Sequence, residues 1–375
     1  LVSYVIPFIS GTFADKYGFK KVLIVSYLAY LPAIISLIYV ESYNEVAFAM
    51  ISIGLAAGIF KPLISGTVRA VTDQSNKTLG FGIFYLMVNA GASIGPIIAG
   101  KLRVISWKYA FIAGAVAVVL MLIITIIFYK EPPREIEGLT LKKKFKDIWI
   151  ALSDVKFSLF LIMLGIFFWM PFWSFFNILP KYVDENLDTI QLYNGVKSVI
   201  GGFLIRLISE TDEKGVGKIL GETISHSGYI IIIFQFFVSR VAEKYKAIPT
   251  FLTGIFIAAA GFIFLALAKV SIVSLVFLGI FLFAIGEMAS SPRIQEYITW
   301  LAPKEKAGLY MGANFLAIGM GGFLSGFYTR LFGHLKLKYM SPEYIWYVLA
   351  IHAIIGILAI FLYTRIVGDF KEREV

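Results

Sequence analysis

Long apolar segments separated by short polar connections are the feature that most constrains how this chain folds. The hydrocarbon core of a bilayer is about 30 Å thick, so a helix that crosses it needs about 20 predominantly apolar residues. The ten-residue alternation of a membrane β-barrel is missing, and the sequence therefore predicts an all-α integral membrane protein. Eleven windows qualify, the first of them only in part: about 1–14, 21–41, 46–70, 79–100, 107–129, 157–180, 225–242, 248–268, 272–296, 307–332 and 344–366.

Composition supports the same class. Hydrophobic residues make up 59% of the 375 residues and charged residues 15%, whereas soluble domains average about half and about a quarter. Cysteine is absent, which excludes disulfides, thiol catalysis and zinc–thiolate sites, and we expect neither a metal site nor a cofactor. The net charge of +10 fits an excess of Lys and Arg on cytoplasmic loops, so no nucleic-acid partner is expected.

The polar connection at 130–156 divides the windows into two sets. Five precede it and six follow it, and the chain begins inside an apolar run. We therefore expect one further helix ahead of this sequence and a plan of two six-helix bundles. Helices two to six would form an N-terminal bundle at 1–129, the linker would be cytoplasmic, and helices seven to twelve would form a C-terminal bundle at 157–375.

The distribution of basic residues predicts the orientation. When the spans alternate from a cytoplasmic Asp15, the larger share of the 34 lysines and arginines lies on the cytoplasmic side. The C-terminus is then cytoplasmic, and the protein is a multi-pass protein of the plasma membrane. The external insertion at about 183–222 is too polar to span, and its stretch 196–209 is either an amphipathic helix along the outer interface or an ordered loop. Tryptophans near span ends predict interface anchors: Trp107, Trp149, Trp300 and Trp346.

A charged interruption at residues 11–21, GTFADKYGFKK, separates two apolar windows, and AEKY at 242–245 repeats its ADKY in the second half. The first stretch resembles the loop between the second and third helices of the major facilitator superfamily. The resemblance implies two bundles that expose a central site to each side of the membrane in turn. It also implies a gate in which the acid pairs with a neighbouring helix end and the bases cap helix C-termini. Alternatively, the lysines only set the topology. The gating residues would be Gly11, Asp15, Lys16, Gly18, Lys20, Lys21, Glu243 and Lys244.

Two charges lie deep inside apolar windows, where charge is costly and by default marks a functional site. Lys61, followed by Pro62, either lines an interior cavity or extends its ammonium group toward the cytoplasmic interface. Glu287 lies in the tenth helix. It either faces a cavity, where it could exchange protons, or pairs with Lys61.

Three blocks in chain order narrow the resemblance to the proton-dependent oligopeptide transporter family. They are FKP at 60–62, FGIFYLMVNAGASIGP at 81–96, and GEMASSP at 286–292 followed by LAPKEKAGLYMG at 301–312. The resemblance implies that Lys61 meets a peptide carboxylate and that Glu287 meets the amino group or serves proton coupling. Further substrate contacts would come from Tyr85, Asn89, Trp173, Asn177 and Asn314.

The sequence departs from this family's pattern at three places. Asn177 stands in the seventh helix where an acid is usual, and Asn314 replaces a tryptophan of the eleventh helix. In the eighth helix Ser227 and Gly228 stand where the family has Asn-Pro. An asparagine can hydrogen-bond to a substrate but cannot carry a proton.

The predicted function is proton-coupled uptake of small peptides or related zwitterions by a monomeric secondary transporter. The alternative with the same fold is an exporter or facilitator of drugs or metabolites, favoured by the aromatic-rich spans and the missing seventh-helix acid. A membrane-embedded enzyme or receptor would need His, Asp or Ser clustered on one membrane face, a pattern that the sequence lacks.

Overall fold

The computed structural model describes residues 2–7, 10, 17–71, 77–131, 146, 149, 153–211, 214–242, 244–301 and 307–367. Helices dominate this part of the chain, and nine helical segments within it are long and apolar enough to cross a membrane. The predicted all-α membrane fold is therefore confirmed. In chain order the helices are α1 Val2–Val5, α2 Phe19–Ser36, α3 Tyr43–Val71, α4 Lys77–Ile105, α5 Trp107–Phe128, α6 Val155–Leu164, α7 Met170–Asn186, α8 Thr189–Ile208, α9 Gly221–Ile224, α10 Gly228–Ala242, α11 Ala247–Val270, α12 Leu275–Leu301, α13 Ala307–Leu324, α14 Gly326–Tyr339 and α15 Tyr344–Val367.

Short polar residues start several helices where the apolar windows begin. Asp154 accepts hydrogen bonds from the backbone N–H groups of Lys156 and Phe157 at the start of α6. At the start of α8, Asp188 accepts from those of Ile190 and Gln191. Ser106 accepts from the N–H of Lys108 at the start of α5. These side chains satisfy backbone donors that have no partner within the helix.

One compact unit comprises Leu1–Val88 and Leu102–Ile150. Its core lies where α2 packs against α3 and α5, and it includes the buried side chains of Leu23, Leu63 and Val118. The hydroxyl of Ser26 on α2 donates to the backbone oxygen of Ala56 on α3, which satisfies a polar group inside the apolar packing.

The other compact unit comprises Asn89–Lys101 and Ala151–Val375. In its core Phe175 and Phe283 stack with ring centroids 3.7 Å apart and planes 5° apart. Since a segment of α4 groups with this unit, the bundle limits drawn from the sequence, 1–129 and 157–375, stay predictions.

Trp346 belongs to the same aromatic core, and its prediction as an interface anchor is wrong. It is 0% exposed, with its ring centroid 5.3 Å from that of Tyr182 in an edge-to-face contact. Aromatic contacts of this kind contribute beyond the area buried, and they hold the indole inside the unit although α15 begins only two residues earlier. Trp107, in contrast, is 60% exposed.

The predicted insertion contains a helix. The long helix α8 leads into a two-stranded antiparallel hairpin of β1, Ser209–Thr211, and β2, Gly217–Ile219. Gly201 interrupts α8 with φ 82°, a value that residues with a side chain rarely adopt. Of the two readings of the stretch 196–209, the structure shows a helix rather than a loop; its place at the membrane interface stays a prediction.

Glycines let α11 and α12 approach closely over several turns. A Cβ on Gly286 would lie 2.5 Å from the backbone oxygen of Gly254 and 2.7 Å from the backbone nitrogen of Ala258. A Cβ on Gly261 would lie 2.7 Å from the backbone oxygen of Gly279. Small residues are the usual means of close helix packing in membranes, and here they position the segment of α12 that carries Glu287.

A reciprocal pair of contacts joins the start of α2 to the end of α5. The carboxylate of Glu131 accepts from the backbone N–H groups of Phe19 at 2.7 Å and Lys20 at 2.8 Å. The ammonium of Lys20 donates to the backbone oxygen of Ile126 at 2.9 Å. Each charge thus lies at the helix end whose dipole it complements. Gly18, at the N-cap of α2 with φ 100°, permits the turn that leads into this contact.

We expect the substitution Lys20→Met to lower the free energy of unfolding by about 0.5–1 kcal/mol, because a charge at a helix C-terminus contributes about this much. The measurement is thermal unfolding of the detergent-solubilised protein. Lys21→Met, one residue on and exposed, is the control. Equal melting temperatures for the two variants would show that the contact with Ile126 does not stabilise the fold.

We expect Gly286→Ala to destabilise the protein by about 1–3 kcal/mol, the usual cost of overpacking, since the backbone of α11 would have to move. Gly333→Ala is the matched control, because nothing lies within 4 Å of the added Cβ, and alanine is favoured over glycine inside a helix by up to about 1 kcal/mol. Thermal unfolding distinguishes them. If both variants were as stable as the unsubstituted protein, the packing of α11 on α12 would be looser than described.

Candidate functional site

Glu287 lies on α12 and is half-buried. Its Oε2 accepts a hydrogen bond of 2.7 Å from the hydroxyl of Ser227, and Phe283, one turn earlier, is buried in the aromatic core. Glu287 also lines a cavity of about 20 Å³ whose other lining residues are apolar, five of them phenylalanines, which is room for about one water molecule. A carboxylate with one serine partner keeps capacity to accept a proton or a further donor.

The span formed by α9 and α10 is discontinuous next to this carboxylate. Helix α9 ends at Ile224, α10 begins at Gly228, and the residues between them are not helical. The backbone oxygen of Ser227 accepts from the N–H groups of Ile230 and Ile231, each at 3.0 Å, while its hydroxyl donates to Glu287. Broken helices of this kind line binding sites in transporters.

Helix α4 reaches the same break. A Cβ on Gly228 would lie 2.5 Å from the hydroxyl of Ser93 and 3.2 Å from the backbone oxygen of Asn89, so only glycine allows this approach. The hydroxyl of Tyr229 is within hydrogen-bonding distance of the backbone oxygen of Ser93, at 2.9 Å. Of the residues predicted from the sequence, Asn89 and Glu287 are thereby brought to the same end of α10.

The span Val155–Asn186, formed by α6 and α7, carries two further predicted residues and contains a π-helical turn, Gly165–Trp169. The amide of Asn177 donates to the hydroxyl of Ser325 at 2.8 Å, and Ser325 lies between α13 and α14. Trp173 packs on Gly322, with its Cδ1 3.4 Å from where a Cβ would be. The structure therefore places Trp173 against α13 and Asn177 against Ser325, the residue that follows α13.

Asn314 on α13 is 1% exposed. Neither atom of its amide has a hydrogen-bond partner among the residues that the structure describes. An unpaired buried amide costs about 1–3 kcal/mol, so this position favours a polar partner outside the described side chains.

The remaining predicted residues are placed only in part. Lys61 and Tyr85 lie on α3 and α4, but their side chains fall outside the described part of the structure, so the alternatives for Lys61 stay open. Lys244 is exposed in the turn after α10. Lys20 donates to the backbone oxygen of Ile126 near the C-terminus of α5, and its role in a gate stays a prediction. The other four gating residues lie outside the described residues: Gly11, Asp15, Lys16 and Glu243.

Sequence reasoning missed several groups that hold helices together within each of the two units. Glu131 was assigned only to the linker, although an acid directly after an apolar helix can cap the helix that packs beside it. Ser93, Tyr229 and Ser325 act through contacts between distant parts of the chain. The signal that could have found Ser227 is the run SHSG at 225–228, whose small and polar residues stand at the start of the apolar window 225–242.

Comparisons with known proteins agree with this architecture. A sequence profile described as Major Facilitator Superfamily matches residues 1–214 and 220–373. The uncharacterized MFS-type transporter YttB of Bacillus subtilis is 23% identical over 97% of this chain and 83% of its own length. A Na(+), Li(+), K(+)/H(+) antiporter of Planococcus maritimus is 24% identical over 84% of this chain and 75% of its own. A crystal structure of a POT family transporter in complex with 5-aminolevulinic acid has a TM-score of 0.74 at 20% identity, covering 98% of this chain and 86% of that one. This chain is therefore a multi-pass membrane protein that belongs to the Major Facilitator Superfamily of transporters.

Proposed function

We propose that this protein is a secondary transporter that takes up small peptides or related zwitterions together with protons, by alternating access. The observation that carries the proposal is the half-buried carboxylate of Glu287, held by Ser227 at the break in the eighth span. A carboxylate inside a span is costly unless it serves a substrate or a proton. At this place it can accept a substrate ammonium group in one state and a proton in another.

The substrate contacts follow from charge. Glu287 would bind the cationic end of the substrate and Lys61 the anionic end, with further contacts from Tyr85, Asn89, Trp173, Asn177 and Asn314. The POT family transporter of similar fold was crystallised with 5-aminolevulinic acid, a compound with one amino and one carboxylic acid group. Its overall likeness supports a small zwitterion as the class of cargo.

The proposal includes the oligomeric state of the transporter, its membrane, its orientation and its gate. The protein works as a monomer in the plasma membrane, with the C-terminus and the 130–156 linker in the cytoplasm. The gate is formed by the charged residues of 11–21 and by Glu243 and Lys244, and the contact of Lys20 with the end of α5 supports a role for this loop in holding helix ends together.

A second candidate function is export or exchange of a non-peptide cargo. Two observations favour it: Asn177, which replaces an acid, already donates to Ser325, and a relative of 24% identity is an antiporter for alkali cations and protons. Proteoliposomes with an imposed pH gradient decide between the two. Uptake of radiolabelled dipeptides supports the first; movement of Na⁺ or K⁺, or of a lipophilic cation such as ethidium, without dipeptide uptake supports the second.

We expect Glu287→Gln to abolish uptake driven by a pH gradient, whereas dipeptide counterflow, which needs no net proton movement, persists with a higher half-saturating dipeptide concentration because the contact with the substrate ammonium group loses its charge. Glutamine can still hydrogen-bond to Ser227 but cannot carry a proton. Glu41→Gln, in the exposed connection before α3, is the control and should transport normally. Unchanged gradient-driven uptake in Glu287→Gln would remove the proton role of this residue.

We expect Lys61→Gln to raise the half-saturating dipeptide concentration by about tenfold or more, because a hydrogen bond to a charged group contributes about 1.5–3 kcal/mol. Competition assays with a dipeptide and its C-terminal amide test the assignment. The variant should lose the preference for the free carboxylate, whereas Lys269→Gln, exposed at the end of α11, should keep it. A preference for the carboxylate that survives in Lys61→Gln would contradict the proposed contact.

A further inference from the structure

The insertion that follows α7 has no role in the transport scheme described so far. It comprises α8, the hairpin of β1 and β2, and α9, and in the proposed orientation it lies on the outer side of the membrane. The backbone oxygen of Ile208 accepts from the N–H of Leu220 at 3.0 Å, which joins the end of α8 to the residue before α9. Asp184 of α7 accepts from the N–H of Gly221 at 2.6 Å. The insertion is therefore fastened to the helix that precedes it.

The C-terminal part of α4 is attached to this insertion at two adjacent residues. The ammonium of Lys101 donates to the backbone oxygen of Ser209, the first residue of β1, and the carboxylate of Glu210 attracts the same ammonium. A Cβ on Gly100 would lie 3.1 Å from the Cγ of Glu222 on α9, so α4 and α9 touch where α4 has no side chain. These five residues are called the outer latch below.

The outer latch lies at the point where α4 is divided between the two compact units. The segment Asn89–Lys101 groups with the unit that contains the insertion, whereas Leu102–Ile150 groups with the other. The sequence, in contrast, predicts that the whole of α4 belongs to the first bundle. Its outer end would therefore have to leave the insertion whenever the bundles move apart on that side.

We propose that the insertion is a strap that holds α4 through the outer latch while the outer side is closed and releases it in each transport cycle. Alternating access opens the central site to one side of the membrane at a time, and outer opening needs the end of α4 to leave the hairpin. The inference rests on the proposed function, which supplies the orientation and the alternating access. It gives the insertion the task that the charged loop at 11–21 would have on the cytoplasmic side.

The chemistry of the outer latch suits a contact that opens and closes. A hydrogen bond from a charged group contributes more than one between neutral groups, yet its net value stays modest because water replaces the lost partner. Lys101 and Glu210 are only half-buried, so both become fully hydrated when α4 leaves. At Gly100 the contact ends without withdrawing a side chain of α4. Opening thus leaves no charge stranded in an apolar place.

Cysteine labelling tests the outer latch without reference to the cargo, since the chain has no cysteine of its own. Ser93, where α4 reaches the break, is 3% exposed, so Ser93→Cys should react slowly with a membrane-impermeant maleimide added to intact cells. We expect Lys101→Met to raise this rate by about tenfold, because the latch loses a hydrogen bond from a charged group. Lys108→Met, exposed at the start of α5, is the matched control and should leave it unchanged. The same rate in all three backgrounds would overturn the proposal.

A second labelling position checks the side of the membrane. Gln191 is exposed on α8, so Gln191→Cys should react quickly, and equally with and without Lys101→Met. If it reacts in opened membranes but not in intact cells, the insertion is not external and the proposal is overturned.

A reversible crosslink gives the functional test. The Cβ atoms of a disulfide are about 3.5–4.5 Å apart, which the approach of Gly100 to Glu222 allows. In the variant Gly100→Cys/Glu222→Cys, oxidation should abolish dipeptide uptake and counterflow, and dithiothreitol should restore both. The two single variants should be insensitive to the oxidant. Full transport by the crosslinked protein would overturn the proposal.

Two outcomes are separated by design. If Gly100→Cys/Glu222→Cys does not transport when reduced, Gly100→Cys/Thr223→Cys takes its place, since a Cβ on Gly100 would lie 3.3 Å from the Cγ2 of Thr223. Absence of dipeptide transport by the unsubstituted protein would reject the proposed function instead. The labelling rate of Ser93→Cys would still decide whether Lys101 holds α4 closed.

Discussion

The cost of an unsatisfied polar group in hydrocarbon governs this structure. A backbone N–H or carbonyl without a partner costs several kcal/mol in the bilayer core, so the chain crosses as helices, and every departure from a helix needs a local replacement for the lost hydrogen bonds. At the break of Ser225–Ser227, the backbone N–H of Ser225 donates to Gly221 and the backbone oxygen of Ser227 accepts from the first turn of α10. The hydroxyl of Ser227 bonds to Glu287, whereas that of Ser225 has no partner among the described residues. The polar groups that make the site chemically useful are also those that make the broken helix tolerable.

Close packing gives this polar region a fixed frame. The glycines between α11 and α12 bring the two backbones into direct contact, and Phe175 and Phe283 stack behind them. Dispersion contacts are individually small and need many atoms at close range. This packing therefore depends on glycines, which have no side chain, where the helices touch and on large aromatic side chains beside them. The carboxylate of Glu287 lies beside this packing and lines the small cavity, whose other lining residues are apolar.

The sequence predicted the spans and the residues whose character conflicts with their surroundings. Apolar length revealed the helices, and Glu287 stood out because a carboxylate is rare in an apolar window. Trp346 was mispredicted because position near a span end does not show whether an aromatic ring turns toward lipid or toward Tyr182. The partners of Ser227, Ser325 and Glu131 could not be predicted, since they lie 60, 148 and 112 residues away in the chain. A local pattern can single out a polar residue, but only the fold shows which group it bonds to.

The π-helical turn Gly165–Trp169 affects which residues of α7 face α13. A hydrogen bond from residue i to i+5 accommodates one residue more than an α-helical turn, and each residue of a helix advances the direction of the side chain by about 100°. All residues after Trp169, Asn177 among them, are therefore rotated by about that angle relative to an uninterrupted helix of the same sequence. An alignment that matches this span residue by residue to a regular helix assigns the wrong face to everything beyond the turn.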